Sequence, residues 1–480
     1  MNPRLAMALI LTLLIGMSSA VFNVQRAKAS GTIYIRADGS IDPPTVPISS
    51  VDNVTYTFTD NIYNSIALER NNTVLDGAGY MIQGTGSGTG IDLNERTNVT
   101  IKNVKINAFH DGIRLRRSFN NTVSGSDITA NNSTGIFLDD SSTYNSISGN
   151  NIMANDWAGI ELIGSSSNRI SGNKITNNGV GIVGSASSNN SISGNNITAN
   201  NVGEGIWLSS GDNNSIFGND IIKNKDDGIV IAGSNNRIFG NNIIANNYYG
   251  IAILSSDSQS NLICHNNFVN NDIQAYISNS ANVWDDGYPS GGNYWSNYVS
   301  TDLKSGLDQN ETGSDGISDS AITIPPYPVI DNVDHYPLMG MYSDFNVTYF
   351  TPPLVSHTCD VTVISNSTVS DFVAPIWIEH PEVIFLEFNV IGAEGSTGFC
   401  RVSFPTAMMN GTYHVTVNGT EIPYTLLSCS DTNDTYLHFT YTHSTETVII
   451  TPEFPSFIIL PLFMIAPLLA VIVYRRKRTT

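Results

Sequence analysis

Isoleucine and leucine alternate with polar residues in short runs across residues 66–284, as at Ile136 with Leu138 or Ile206 with Leu208, and glycine and asparagine close each run. Alternation of period two over so few residues predicts short strands with one buried face. A helical reading fails, because Gly and Asn every few residues would cost about 0.5–1 kcal/mol each in a helix interior.

The runs repeat. Gly-Ile recurs at 90, 112, 135, 159, 181, 205, 228 and 250, with spacings of 22 to 24 residues. A second beat, N-S-I-S-G-N-N-I in its fullest form, starts at Asn145, Asn168, Asn190, Asn214, Asn236 and Asn261. Fixed self-similarity of this length marks a solenoid. Three short strands per repeat would stack equivalent residues at the ~4.8 Å strand spacing, so the predicted fold is all-β, a right-handed parallel β-helix. Stacking assigns Ile91, Ile113, Ile136, Ile160, Ile182, Ile206, Ile229 and Ile251 to the interior. It also aligns Asn150, Asn173, Asn195, Asn219 and Asn241 at one turn, where amides can bond along the axis. The glycine before each supplies a left-handed corner.

Both ends of the chain read as addresses. Arg4 precedes an apolar run over residues 5–17, and Ala27-Lys28-Ala29 offers a cleavage site, so residues 1–29 are expected to be a signal peptide. Residues 457–474 are apolar and uncharged, and Arg475, Arg476, Lys477 and Arg478 follow at once. That pattern predicts a single C-terminal transmembrane helix with a basic cytoplasmic tail, and places the rest at the cell surface. The expected organisation is an N-terminal cap over 30–65, the β-helix over 66–284, capping loops over 285–344, a small β-sandwich-like stalk over 345–451 and the anchor over 452–480. Sequons such as Asn71, Asn98, Asn196, Asn346, Asn410, Asn418 and Asn433 fit an exported glycoprotein, although a chain this rich in Asn, Ser and Thr also makes them by chance.

Residues 72–84 (NTVLDGAGYMIQG), the coils that follow and residues 284–295 (WDDGYPSGGNYW) resemble the NosD-type β-helix proteins of archaeal cell surfaces. The resemblance runs from about residue 70 to 340, and the second block is its most specific part. Residues 452–455 (PEFP), before the apolar run and the basic cluster, resemble an archaeal sorting signal. The NosD name suggests copper, but the eight histidines are scattered, with no His-x-His pair and no methionine cluster.

Composition narrows the chemistry. A formal charge of -20 repels nucleic acid. The four cysteines form no C-x-x-C pair; a disulfide among Cys359, Cys400 and Cys429 is expected, with Cys264 buried as a small apolar residue. Asp308, Asn310, Thr312, Gly313, Ser314 and Asp319 follow the spacing of a calcium loop, in which oxygen donors alternate and a glycine makes the sharp turn. An Asx-rich turn without metal is the other reading. Among residues following Gly-Ile, Glu161 stands without a second carboxylate nearby, so no catalytic pair is assigned. Trp157, Trp207, Tyr248 and Tyr249 lie at or near one corner of the coils and are candidate glycan contacts. The expected role is structural, adhesive or glycan-binding, with glycans or envelope proteins as partners. A carbohydrate-active enzyme on the same scaffold is the alternative.

Overall fold

The computed structural model describes residues 31–325, 332–351, 355–374, 385–409 and 411–453. The expected signal peptide lies outside them, as does the apolar run of the expected anchor. All regular elements among the described residues are strands, and no helix there is long and apolar enough to cross a membrane. The chain divides into two compact units, Met1–Gly211 and Asp212–Thr480.

The first unit is a parallel β-helix. One coil holds the strands Ile136–Asp139, Ser146–Ser148 and Asn151–Met153, and the next holds Ala158–Ile163, Arg169–Ser171 and Lys174–Thr176. They pair in parallel with no slip: Ile136 with Ile160, Ile147 with Ile170, Ile152 with Ile175. All six isoleucines are fully buried, each contributing about 1.5–3 kcal/mol on leaving water. The interior is therefore the set of stacked isoleucines read from the repeat. At the N-terminal end, Ile41–Asp42 pairs antiparallel with Thr32–Ile35, which covers the open edge of the Gly-Ile sheet.

Glycine serves two purposes here. Gly149, Gly172 and Gly194 sit at φ near +60°, where a side chain is strained. The glycine of each Gly-Ile pair is needed for space instead. A Cβ on Gly159 would lie 2.6 Å from Ile175 Cγ2 and 2.8 Å from the Gly181 carbonyl oxygen.

At each corner the change of direction leaves backbone N–H groups without a strand partner, and asparagine supplies it. Asn173 Oδ1 accepts from both the backbone N and Nδ2 of Asn150, each at 3.0 Å, while Asn150 Nδ2 also donates to the Val123 carbonyl at 2.9 Å. Asn195 Oδ1 treats Asn173 the same way. Parallel ladders run through Asn121, Asn145, Asn168 and Asn190, and through Asn131, Asn155, Asn178 and Asn200.

The second unit begins with coils of the same kind, for example Ile229–Ala232, Arg237–Phe239 and Asn242–Ile244. Its ladder runs through Asn219, Asn241, Asn266 and Asn293 and ends on a carboxylate. Asp334 Oδ2 accepts from Asn293 N and Trp295 Nε1, both at 2.8 Å. Asn332 closes the neighbouring ladder by accepting from Asn282 N and Trp284 Nε1. Trp284 and Trp295 are buried, with Trp295 stacked 4.5 Å from Phe268. The motif singled out in the sequence is thus the C-terminal cap of the coil.

Beyond the cap, two five-stranded antiparallel sheets enclose a core that includes Val361, Phe388, Val402, Phe404 and Phe439. They form a sandwich. Asn267 exchanges hydrogen bonds with the backbone of Tyr342, and Arg401 Nη2 donates to the Pro289 carbonyl, which ties the sandwich to the last coil and its cap. The expected disulfide is absent, since all four cysteines are thiols. Cys400 is taken up by the sandwich core, 3.6 Å from Ser365 Oγ and 3.7 Å from Tyr441 Oη. Burial pushes its thiol up to about 12. Cys264 is buried, as its place in the coil predicts.

Two measurements test the ladders. Asn173→Ala leaves two donors of Asn150 without their acceptor and is expected to destabilise the chain by roughly 2–4 kcal/mol in urea denaturation; a loss under about 0.5 kcal/mol would contradict a structural role for the ladder. The second concerns pH. Burial raises the Asp334 carboxyl to about 7 despite the N–H donors that favour its charge. Between pH ~4 and ~7 the folded chain holds a proton that the unfolded chain releases, so stability falls as pH rises through that window. Asp334→Asn keeps an accepting oxygen and removes the titration. It is expected to melt higher than the wild type at pH 8 and to match it at pH 4, and an unchanged gap at both values would refute the assignment.

Candidate functional site

In the first unit the outward side of the Gly-Ile sheet carries one side chain per coil in a continuous row. The register pairs Asp92 with Arg114, Arg114 with Phe137, Phe137 with Glu161, Glu161 with Val183 and Val183 with Trp207. Five steps of ~4.8 Å make a row roughly 24 Å long. Inward isoleucines fix which residues point out, so the row follows directly from the repeat.

Two further positions bring charge into it. Asp139 follows Phe137 by two residues and so shares the outward face; its Oδ2 accepts from Arg114 Nη2 at 2.5 Å. Asp111 precedes Gly112 and accepts from Thr134 N at 3.3 Å, and its Oδ1 lies 3.2 Å from His110 Nδ1. Glu161 Oε2 accepts from Thr134 Oγ1 at 2.9 Å. Glu161 therefore has company that a scan of the residues following Gly-Ile misses. The signal lay at other positions of the same strands, one residue before and four after that glycine.

The electrostatics follow from burial. Asp139 is 7% exposed and Asp92 half-buried. Burial pushes the Asp92 carboxyl up, Arg114 opposes the shift, and Asp139 adds to it. The Arg114 guanidinium is held further in its charged form by the bond to Asp139 and lies 5.3 Å over the Phe137 ring. The result is an acidic strip with one clamped cation, flanked by aromatic faces. Trp207 packs on Ala158, Val180 and Val183, while Trp157 sits at the turn before its strand, 39% exposed.

The other candidates are placed as follows. Tyr248 and Tyr249, in the second unit, have ring centroids 4.0 Å apart and hydroxyls 3.0 Å apart, and Tyr249 stacks on Tyr276 at 5.0 Å. The hydroxyl contact and burial push Tyr249 up to about 12. In the loop, Lys304–Ser305 pairs with Glu311–Thr312, which puts exposed Asp308 and Asn310 in the hairpin turn and Thr312 on its returning strand. Ser314 Oγ donates to the Asp302 carbonyl. Asp319 accepts from the N–H groups of Leu303 and Lys304 and from Thr301 Oγ1. Asp302, which the spacing did not flag, accepts from the N–H groups of Asp315 and Gly316, and burial raises it to about 7.

An all-strand solenoid with a polar row on one sheet is a parallel β-helix protein of the class that displays residues along a coil. The family described as "Periplasmic copper-binding protein (NosD)" matches residues 30–225 and 185–300, and the chain belongs to the NosD family. No curated protein matches by sequence. Among solved structures, a periplasmic alginate epimerase is similar at 16% identity and a TM-score of 0.37, covering 53% of this chain and 84% of its own. The A-module of a mannuronan C-5 epimerase from Azotobacter vinelandii is similar at 12% identity and 0.31, covering 49% and 82%. An alginate lyase from Paenibacillus sp. is similar at 14% and 0.30, covering 49% and 91%.

The copper in the family's description can be tested against the residues present. Among the described residues no three His, Cys, Asp or Glu side chains converge to hold a metal ion. His335 pairs with Asp285, and His265 is buried, stacked on Tyr342 and bonded to Ser290. The described residues do not fit a copper centre built from such side chains.

The Arg114 clamp can be checked by a double-mutant cycle. Arg114→Met leaves the buried Asp139 carboxylate unpaired and is expected to cost roughly 1–3 kcal/mol in urea denaturation. Adding Asp139→Asn is expected to recover most of that loss, whereas additive effects would mean that the two side chains are not coupled.

Proposed function

We propose that this chain is an exported cell-surface protein that binds glycans along the outward face of its Gly-Ile sheet. The observation that carries this reading is the row from Asp92 to Trp207, where carboxylates, one guanidinium and aromatic rings occupy successive coils. Sugars are recognised by this combination, since hydroxyls bond to charged side chains while the apolar ring faces stack on aromatics. The rigid spacing suits an extended chain rather than a compact ligand. Export is supported by the apolar run and cleavage pattern at the N-terminus and by a family description that names the periplasm. The apolar run with its basic cluster supports a C-terminal anchor. Tyr248, Tyr249 and Tyr276 offer a second stacking surface of the same chemistry.

A second reading rests on Asp92. A carboxyl raised by burial beside a guanidinium has the makings of a general acid, which a lyase, hydrolase or epimerase would use.

Affinity electrophoresis of the purified chain on neutral and acidic polysaccharides separates these readings. Retention is expected, with Trp207→Ala and Phe137→Ala each weakening it about tenfold, a loss of ~1.4 kcal/mol, and with Tyr144→Ala, away from the row, unchanged. New reducing or unsaturated ends would transfer the same face to catalysis, and equal retention of all three variants would rule it out as the binding surface.

A further inference from the structure

The corner that precedes each strand of the second sheet carries a recurring pattern of its own. In the first unit its left-handed position is held by Asn53, Asn72, Asn98, Asn120, Tyr144, Ser167 and Asn189, at φ between 54° and 59°. Asparagine is suited to that conformation, so the fold explains why it is common there. The fold does not explain the residue two places on, which is the first or second of the strand and lies on its outward side. Thr55, Val74, Thr100, Thr122, Ser146, Arg169 and Ser191 occupy it in register. Valine and arginine satisfy the strand as well as threonine does.

Yet wherever the corner is Asn53, Asn98, Asn120 or Asn189, the third residue is Ser or Thr, completing N-x-S/T. All four asparagines are exposed. Their middle residues are Val54, Val99, Asn121 and Asn190, and the last two belong to the buried ladder. In the second unit Asn213, at φ 57° and exposed, precedes the ladder residue Asn214 and then Ser215. Asn131 heads a sequon too, but it is fully buried within a ladder and has no access to a transferase. Asn98 Nδ2 already donates to Asn72 Oδ1 at 2.8 Å, a contact that a modified amide can keep through its remaining N–H.

We propose that these corner asparagines are N-glycan acceptors, placing glycans along one corner of the first unit's coil and at the equivalent corner that Asn213 occupies in the second. The donor is an oligosaccharide joined through its anomeric carbon to a phosphate carrier. The asparagine Nδ2 forms a bond to that carbon as the carbon–oxygen bond to phosphate breaks. The phosphate leaves with the electron pair, and one amide proton passes to a base of the transferase. None of the row's own residues from Asp92 to Trp207 is an asparagine, so glycans at this corner are attached off the row. The proposal goes beyond the glycan-binding reading and depends only on export.

The test is glycopeptide mass spectrometry on the full chain isolated from the membranes of cells that make it. Peptides holding Asn53, Asn98, Asn120, Asn189 and Asn213 are expected to carry added hexose-type mass, and Asn131 to be bare. Thr122→Val keeps the corner and the ladder intact and is expected to abolish the added mass at Asn120 alone; Asn120→Gly, which retains the left-handed corner, should do the same. Bare masses at most of the corner peptides, or an unchanged Asn120 peptide in Thr122→Val, would overturn the proposal.

Discussion

A coil that turns three corners every 22 to 24 residues must bury backbone N–H groups at bends where no strand can receive them, and the asparagine ladder is what satisfies them. A side-chain amide both donates and accepts, so one residue per coil can take bonds from the coil before and pass one to the coil after. Serine takes the position at Ser126, where it meets Asn150 but cannot reproduce the full amide exchange. A ladder in the second unit stops at Asp334, whose Oδ2 accepts from Asn293 N and Trp295 Nε1 and passes no bond to a further coil. Removing a link leaves buried donors exposed to no partner, so the ladder is constrained more by the penalty of a gap than by the gain of each bond.

Register follows from the ladder and the stacked isoleucines together, and register decides what the surface presents. A slip of one residue in a strand would turn every isoleucine outward. With slip forbidden, each outward position becomes a column along the coil, and variation within a column carries the chemistry. The Gly-Ile column changes from charged at Asp92 and Arg114 to aromatic at Phe137 and Trp207 without disturbing the core. The second-sheet column alternates hydroxyl, apolar and basic residues with equal freedom.

The cap shows the opposite constraint. Ending a solenoid means finishing its hydrogen bonds with groups that do not continue them, and this concentrates buried polarity. Asp334, Asp302 and Asp315 all have raised carboxyls there, with burial the leading cause in each. Arg401 enters from the sandwich, buried, with Nε and Nη1 lacking hydrogen-bond partners in the structure. Buried polar atoms of this kind are ordinarily met by ordered water.

How much was legible in the sequence depended on whether a feature repeats. The coil, its isoleucine interior, the ladder through Asn150, Asn173 and Asn195 and the left-handed glycines were all readable, because stacking forces equivalent residues into equivalent places and so writes itself into the chain as a period. The special block around Trp284 and Trp295 was visible as a motif, but that it is a cap needed Asn332 and Asp334, which lie some 40 to 50 residues away in the bonds they make. The same holds for the candidate site. Asp139 reaches Arg114 across 25 residues, and Glu161 meets Thr134 across 27. Such contacts depend on how long side chains bend across from one coil to the next, which the repeat does not encode. Local period determined the fold of this protein, and tertiary stacking alone decided which of its charges meet.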